Sequence, residues 1–280
     1  MRAVVAADRP GEGVAKPGGL PALAVRPLLV VLVLKCGLNL AFAGRYGWQR
    51  DELYYAVAGR HLQGGYVEFP PVTALLSAAA RVLFGWSLVG FRAFAILAGA
   101  ATILLAALVA RELGGGRKAQ VLAAALVAFS PILLATNGLF QPVSFDQTAT
   151  MLVLWLALRL ALGRGSWLAL GIAVSVGLET KYTLALVLVL LVAGFAVWRR
   201  DVLASRGLVL AVAVAISTPG YMMPQSARQV VRTLEGREGT GGGASARDFD
   251  DQPSWHEGTL SNLLGAIPHL RSCWDFWKKG

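Results

Sequence analysis

The chain has 280 residues, of which 56% are hydrophobic and 15% charged, with a formal net charge of +10. Soluble domains carry about 25% charged residues, so this deficit points to a polytopic membrane protein. The positive charge does not point to nucleic acid, because the basic residues fall in short loops between apolar runs, where they report topology.

Residues 1–25 are rich in Gly, Pro, Ala and Arg without periodicity and are expected to form a disordered cytoplasmic leader. Residues 26–43 form the first apolar run. Ala41-Phe42-Ala43 looks like a signal-peptidase site, but the run is too long for an ordinary signal peptide and reads as an uncleaved anchor. Cys36 and Cys273 have no metal-ligand spacing and are read as two unpaired thiols.

A polar island follows, with Trp48 to Tyr55 and then Glu68-Phe69-Pro70-Pro71. Residues 49–62 are expected to form a short helix on which Asp51 and Tyr55, four apart, share a face. Pro70 and Pro71 close the loop and start the next helix. Residues 72–84 are apolar but too short to span comfortably, and are read as a helix lying at the outer interface.

Further apolar runs occupy 87–110, 119–137, 145–162, 166–178, 182–197 and 206–222. With 26–43 they predict about seven transmembrane helices. Arg111, Arg117 and Lys118 mark one loop, Arg159 and Arg164 a second, and Arg199, Arg200 and Arg206 a third. Cytoplasmic loops collect Lys and Arg, so these three loops and the N-terminus face inward. The outer face then receives residues 44–71, 138–146 and 179–181, with Asp51, Glu52, Glu68, Asp146 and Glu179. The tail, 223–280, is Gly-rich and polar and then mixes charges with tryptophans; it is expected to be disordered.

Carboxylates at a membrane face are read first as a functional site. One could act as general base on a hydroxyl or amine, and a second could orient the acceptor or hold a divalent metal. Arg50, Arg60, His61 and Lys181 supply cationic or titratable partners, and such cations can neutralise a phosphate leaving group. The set suits transfer of a group from a phosphate carried in the membrane. The bland alternatives are a solvated helix terminus for Asp51, an N-cap for Asp146, an interfacial pair for Glu179 and Lys181, and an aromatic belt for Trp48, Tyr54 and Tyr55. A transporter would place its carboxylates near mid-span, whereas these cluster at span ends.

Arg50-Asp51-Glu52-Leu53-Tyr54-Tyr55 followed by Gly65-Tyr66-Val67-Glu68-Phe69-Pro70-Pro71 resembles the first outer loop of glycosyltransferase family 39. That family includes the dolichyl-phosphate-mannose protein mannosyltransferases and the aminoarabinose transferase of lipid A. Ala110 to Arg117, Ser144-Phe145-Asp146-Gln147 and Glu179-Thr180-Lys181-Tyr182 continue the likeness in order, over residues 27–222. The resemblance implies an all-α polytopic fold of GT-C type with an outer juxtamembrane helical loop, and a polyprenyl-phosphate sugar donor. It implies a catalytic role for Asp51, with Glu52 beside it, and for Glu68, which could assist catalysis or bind a metal together with Asp51. Lys181 and Arg50 are the candidates for the donor phosphate, and Asp146, Tyr55 and His61 for the cavity wall. The acceptor and any cofactor stay open. Phe69 stands where many relatives carry a polar residue, and the likeness stops near Pro219 while relatives run longer. A truncated relative that binds lipid phosphate without turnover is therefore the alternative. The Ala, Gly and Arg usage hints at a bacterium of high genomic GC content, so the membrane is read as the inner membrane, with the N-terminus placed in the cytoplasm by the basic loops.

Overall fold

The computed structural model describes residues 19–62, 66 and 69–217. Glu68, the expected leader before residue 19 and the expected divergent tail from 223 lie outside the described residues. The described chain is helical: α1 (Val25–Ala43), α2 (Arg50–Ala58), α3 (Val72–Phe84), α4 (Leu88–Glu112), α5 (Arg117–Ala128), α6 (Pro131–Thr136), α7 (Pro142–Ala161), α8 (Trp167–Leu178), α9 (Leu184–Trp198), α10 (Arg200–Leu203) and α11 (Arg206–Ile216).

α4 is the central helix, packed by α1, α3, α5 and α7. Its small and branched face meets α1 and α5 around Leu28, Ile103, Ala107 and Ala124. A second core joins α7, α8, α9 and α11 around Val153, Val174, Leu184 and Ala215. α8 and α11 approach closely because Gly171 leaves room: a Cβ there would sit 2.9 Å from the Ala211 carbonyl oxygen. Small residues at such crossings let backbones meet without a hydrophobic driving force between the helices.

Polar contacts divide the bundle into two ends. At one, Arg111 Nε donates to the Pro21 carbonyl at 2.8 Å, and Gln120 accepts from Ala24 N and donates to the Ala22 carbonyl. Residues 21–24 are therefore held against the α4–α5 corner, so ordered chain begins before the expected boundary at residue 25. At the same end Arg159 and Arg164 flank the buried Glu112 at 3.5 and 3.4 Å, and Arg199 donates to the Ala161 carbonyl. All three loops that carry the basic residues thus converge here. At the opposite end Phe140 N donates to Glu52 and Val72 N to the Glu179 carbonyl, bringing together the links before α3, α7 and α9.

α3 lies across this second end. Its first residue bonds to Glu179, while Phe84 at its last turn meets Gly90 in the first turn of α4. Gly85, at φ 60°, turns the chain between them, in the left-handed conformation that glycine adopts without penalty. Thr73, Ala74, Ser77 and Ala80, spaced as one helical stripe, are buried, whereas Leu75, Val82, Leu83 and Phe84 are exposed. Small residues face the protein and large apolar ones face out.

Two expectations need correction. The run at 119–137 is not one helix. Ser130, with ψ 124°, interrupts it and Pro131 opens α6. The residue before a proline is driven out of the helical region, and proline has no N–H to continue the ladder. The expected count of about seven spanning helices is also not reached by length alone. Among the described residues only Val25–Ala43 and Leu88–Glu112 are long and apolar enough to cross a membrane. At 1.5 Å per residue, the 12-residue α8 reaches only ~18 Å against a hydrocarbon core of ~30 Å.

Gly171→Ala is expected to lower the thermal unfolding midpoint in detergent, with a cost of about 1–3 kcal/mol for forcing α8 from α11. Gly37→Ala, where nothing lies within 4 Å of an added Cβ, serves as the neutral control.

Candidate functional site

α2 is short and begins with a reciprocal cap. Gln49 N donates to Glu52 Oε2 at 3.1 Å, and the Gln49 side chain accepts from the backbone N–H of residue 52. Successive residues on a helix are about 100° apart, so Asp51 and Glu52 cannot face the same way. Glu52 turns inward and is completely buried, while the side chain of Asp51 is 47% exposed.

Both Glu52 oxygens are engaged. Oε1 accepts from Arg92 Nε and from Phe140 N, each at 2.9 Å, and Oε2 accepts from Arg92 Nη2 at 2.6 Å. Arg92 spends its remaining donors on the carbonyls of Ala43, Tyr46 and Gly47. The expected catalytic pair is therefore split. Asp51 stands at the open surface, and Glu52 is the buried end of an ion pair beneath it.

Tyr55, one turn after Asp51, lines a cavity of about 270 Å³ together with Phe69, Pro70, Gln141, Pro142, Val143, Lys181, Tyr182 and Thr183. Tyr55 and Phe69 meet edge to face at 5.0 Å, and Tyr66 stacks on Phe69 at 4.5 Å. Phe69 is thus built into the aromatic wall. Asp146 joins this group from α7: its Oδ2 accepts from Thr183 at 2.9 Å, Lys181 is near enough for its charge to act on it, and its Oδ1 is buried without a hydrogen-bond partner. Tyr55, Asp146 and Lys181 are brought together; Arg50 and His61 are not. The Arg50 side chain is 96% exposed, with Asp51 at 3.4 Å. His61 is exposed and contributes its carbonyl to the Tyr66 hydroxyl at 2.9 Å.

The sequence reading places Glu179 at the outer face without its burial, and misses Arg92 and Lys35. Glu179 is buried, and neither carboxyl oxygen has a hydrogen-bond partner among the described residues. Burial raises its pKa above the ordinary 4.5 by disfavouring the charged form. Arg92 and Lys35 lie within apolar runs and are almost fully enclosed. A charge inside an apolar helix is the signal that could have found both. No cluster of three or more His, Cys, Asp or Glu that could hold a metal occurs among the described residues. Of the two carboxylates expected to share one, Glu68 lies outside them.

A second cavity, about 720 Å³, opens between α1 and α6 and is lined by Asn39, Phe42, Gln49, Arg92 and Leu134 among others. Arg92 offers no free charge there, because all its donors are committed.

Comparison with known proteins decides the family. The profile described as dolichyl-phosphate-mannose-protein mannosyltransferase matches residues 68–219, more than half of the chain. The chain belongs to that family. Membership makes it a membrane glycosyltransferase of the GT-C type. The matched stretch holds the cavity residues from Phe69 to Thr183, and α2 with Asp51 precedes it. No curated protein and no solved structure matches.

Glu52→Gln removes the charge opposite Arg92 and is expected to destabilise the protein by about 3–5 kcal/mol in denaturant titration. Glu179→Gln tests the buried carboxyl. A raised pKa in the folded state makes its contribution complete below pH 4.5 and lost as pH rises through the folded value. The variant should therefore unfold at higher temperature than the parent at pH 7–8 and at the same temperature near pH 4.

Proposed function

We propose that the chain transfers a sugar from a polyprenyl phosphate to an acceptor at the membrane face that carries α2 and α3, with the basic loops on the cytoplasmic side. The observation that supports this reading best is the joint placement of Lys181, Asp146 and Tyr55 at one cavity, with Asp51 one turn away on α2. In this reading the chain crosses along α1, α4, the α5–α6 pair, α7, α8, α9 and α11, with α3 at the interface; the length of α1 and α4 supports two of these crossings. A helix shorter than the hydrocarbon core crosses where the bilayer thins around it or its flanking residues snorkel.

In this reading Asp51 is the general base. Half exposed at the helix N-terminus, it stands where an acceptor hydroxyl or amine can approach. As the new glycosidic bond forms, the bond between the anomeric carbon and the phosphate oxygen breaks, the acceptor proton passes to Asp51, and the lipid phosphate leaves as the anion. Lys181 holds that phosphate, with Arg50 free to swing in from the surface. Asp146, fixed by Thr183, orients Lys181. Glu52 acts through position, holding α2 on Arg92. Glu68 would complete the acidic loop, and a divalent metal shared with Asp51 would supply Lewis-acid stabilisation of the phosphate.

The alternative is a relative that binds lipid phosphate without turnover. Its support is that Asp51 does not itself line the cavity around Lys181.

Asp51→Asn is expected to lower kcat for transfer from a polyprenyl-phosphate sugar by about 10²–10⁴-fold, the range for a general base, while the protein still inserts. Lys181→Met is expected to raise the donor KM about tenfold or more, from the loss of a charge-assisted hydrogen bond. Retained turnover in Asp51→Asn would overturn the assignment of the base. Donor binding without turnover by the wild-type chain would favour the alternative.

A further inference from the structure

α1 carries a lysine near its midpoint. Lys35 is 1% exposed in a helix whose other face is Leu, Val and Phe. Lysine at that depth is expensive, and such residues mark function or its support. Its Nζ donates to Asn137 Oδ1 at 3.3 Å. Asn137 Nδ2 donates onward to Gln147 Oε1 at 2.7 Å, and Gln147 Nε2 to Thr136 Oγ1 at 3.0 Å. Gly99 of α4 makes the contact possible, since a Cβ there would collide with both Asn137 Oδ1 and Lys35 Nζ.

The network ends at the corner between α6 and α7. α6 buries none of its residues; in the corner that follows, Phe140 alone is anchored by apolar packing, on Phe91 and Phe145, and residues 136–138 rely on polar contacts. Polar bonds grip it from two sides: Lys35 holds Asn137, and Glu52 holds Phe140 N. The next residues, Gln141 and Pro142, form one wall of the cavity that contains Lys181, and Gln147 is the neighbour of Asp146.

We propose that Lys35 is a positioning residue: through Asn137 and Gln147 it sets the α6–α7 corner and so the wall of the Lys181 cavity. Its relevance to transfer rests on the function proposed above; the geometric claim does not.

The test uses the full chain in detergent or liposomes, with Cys36→Ser and Cys273→Ser and a reporter, Gln141→Cys, labelled by a charged, water-soluble maleimide. Lys35→Met should speed labelling by about threefold to tenfold, the size of an interhelical polar contact. Asn137→Leu should do the same, and the double variant should exceed neither single change, since one network is being cut. With the native cysteines and Gln141 restored, Lys35→Met should lower kcat for transfer by a similar factor and leave the donor KM within about twofold, a split that general loosening would not produce. Unchanged labelling in Lys35→Met, or additive effects in the double variant, overturns the proposal, as does a fall in donor affinity with kcat intact. Should Lys35→Met fail to insert, Gln147→Leu cuts the far end of the network with the Lys35–Asn137 bond in place, and unchanged labelling there is equally decisive. A wild-type chain without turnover counts against the proposed function alone, because the labelling arm still decides the role of Lys35.

Discussion

The buried pair of Glu52 and Arg92 determines where everything at the carboxylate-bearing end can be. A helix of nine residues has too few internal hydrogen bonds to persist alone, so α2 exists where it does because Glu52 is tied down. Five donors of one guanidinium reach Glu52 and three carbonyls at the end of α1 and in the link that follows, and Phe140 N closes the arrangement from α7's side. Removing two charges from water costs several kcal/mol each, and the geometry recovers this because no lone pair or proton is left over. Asp51 inherits its position from its neighbour: the deeper carboxylate holds the helix, and the shallower one is thereby presented to the surface.

The same logic explains why the aromatic residues gather here. Trp48 and Phe140 meet Phe91 edge to face at 5.2 and 5.4 Å, and Phe145 continues the chain of rings from Phe140. They exclude water from the ion pair, which strengthens it. Beside this dry block, Tyr55 and Phe69 form the floor on which Lys181 and the Asp146–Thr183 pair stand. One end of the bundle therefore combines a rigid, sealed base with an open polar rim, while at the other Arg159 and Arg164 flank Glu112.

Much of this was legible as pattern. The apolar run at 72–84 became α3 with the same bounds. The basic loops were assigned to a common side from charge alone, and they do converge. What could not be read is pairing. Arg92 and Lys35 look like single blemishes in apolar runs, and their partners lie 40 and 102 positions away, beyond any local periodicity. The split of Asp51 from Glu52 had a local sign: Gln49 followed three residues later by Glu52 resembles a capping box, which commits the second residue to the backbone. The break at Pro131 had one too, but hydropathy counts Ser130-Pro131 as a minor dip, whereas the backbone treats it as a stop.

The distance between Lys35 and its acceptor has a consequence for how the protein is made. Chains emerge from the ribosome N-terminus first at roughly 5–20 residues per second, so the 102 residues between Lys35 and Asn137 take on the order of 5–20 s to follow. Read as a spanning helix, α1 would during that interval lack the partner of Lys35, a residue type that costs ~3 kcal/mol at the centre of such a helix. The strongly apolar α4, which is synthesised in between and supplies Gly99, is available to shelter it first. Synthesis order thus places α1 and α4 within reach of one another before Asn137, at the end of α6, exists to accept from Lys35.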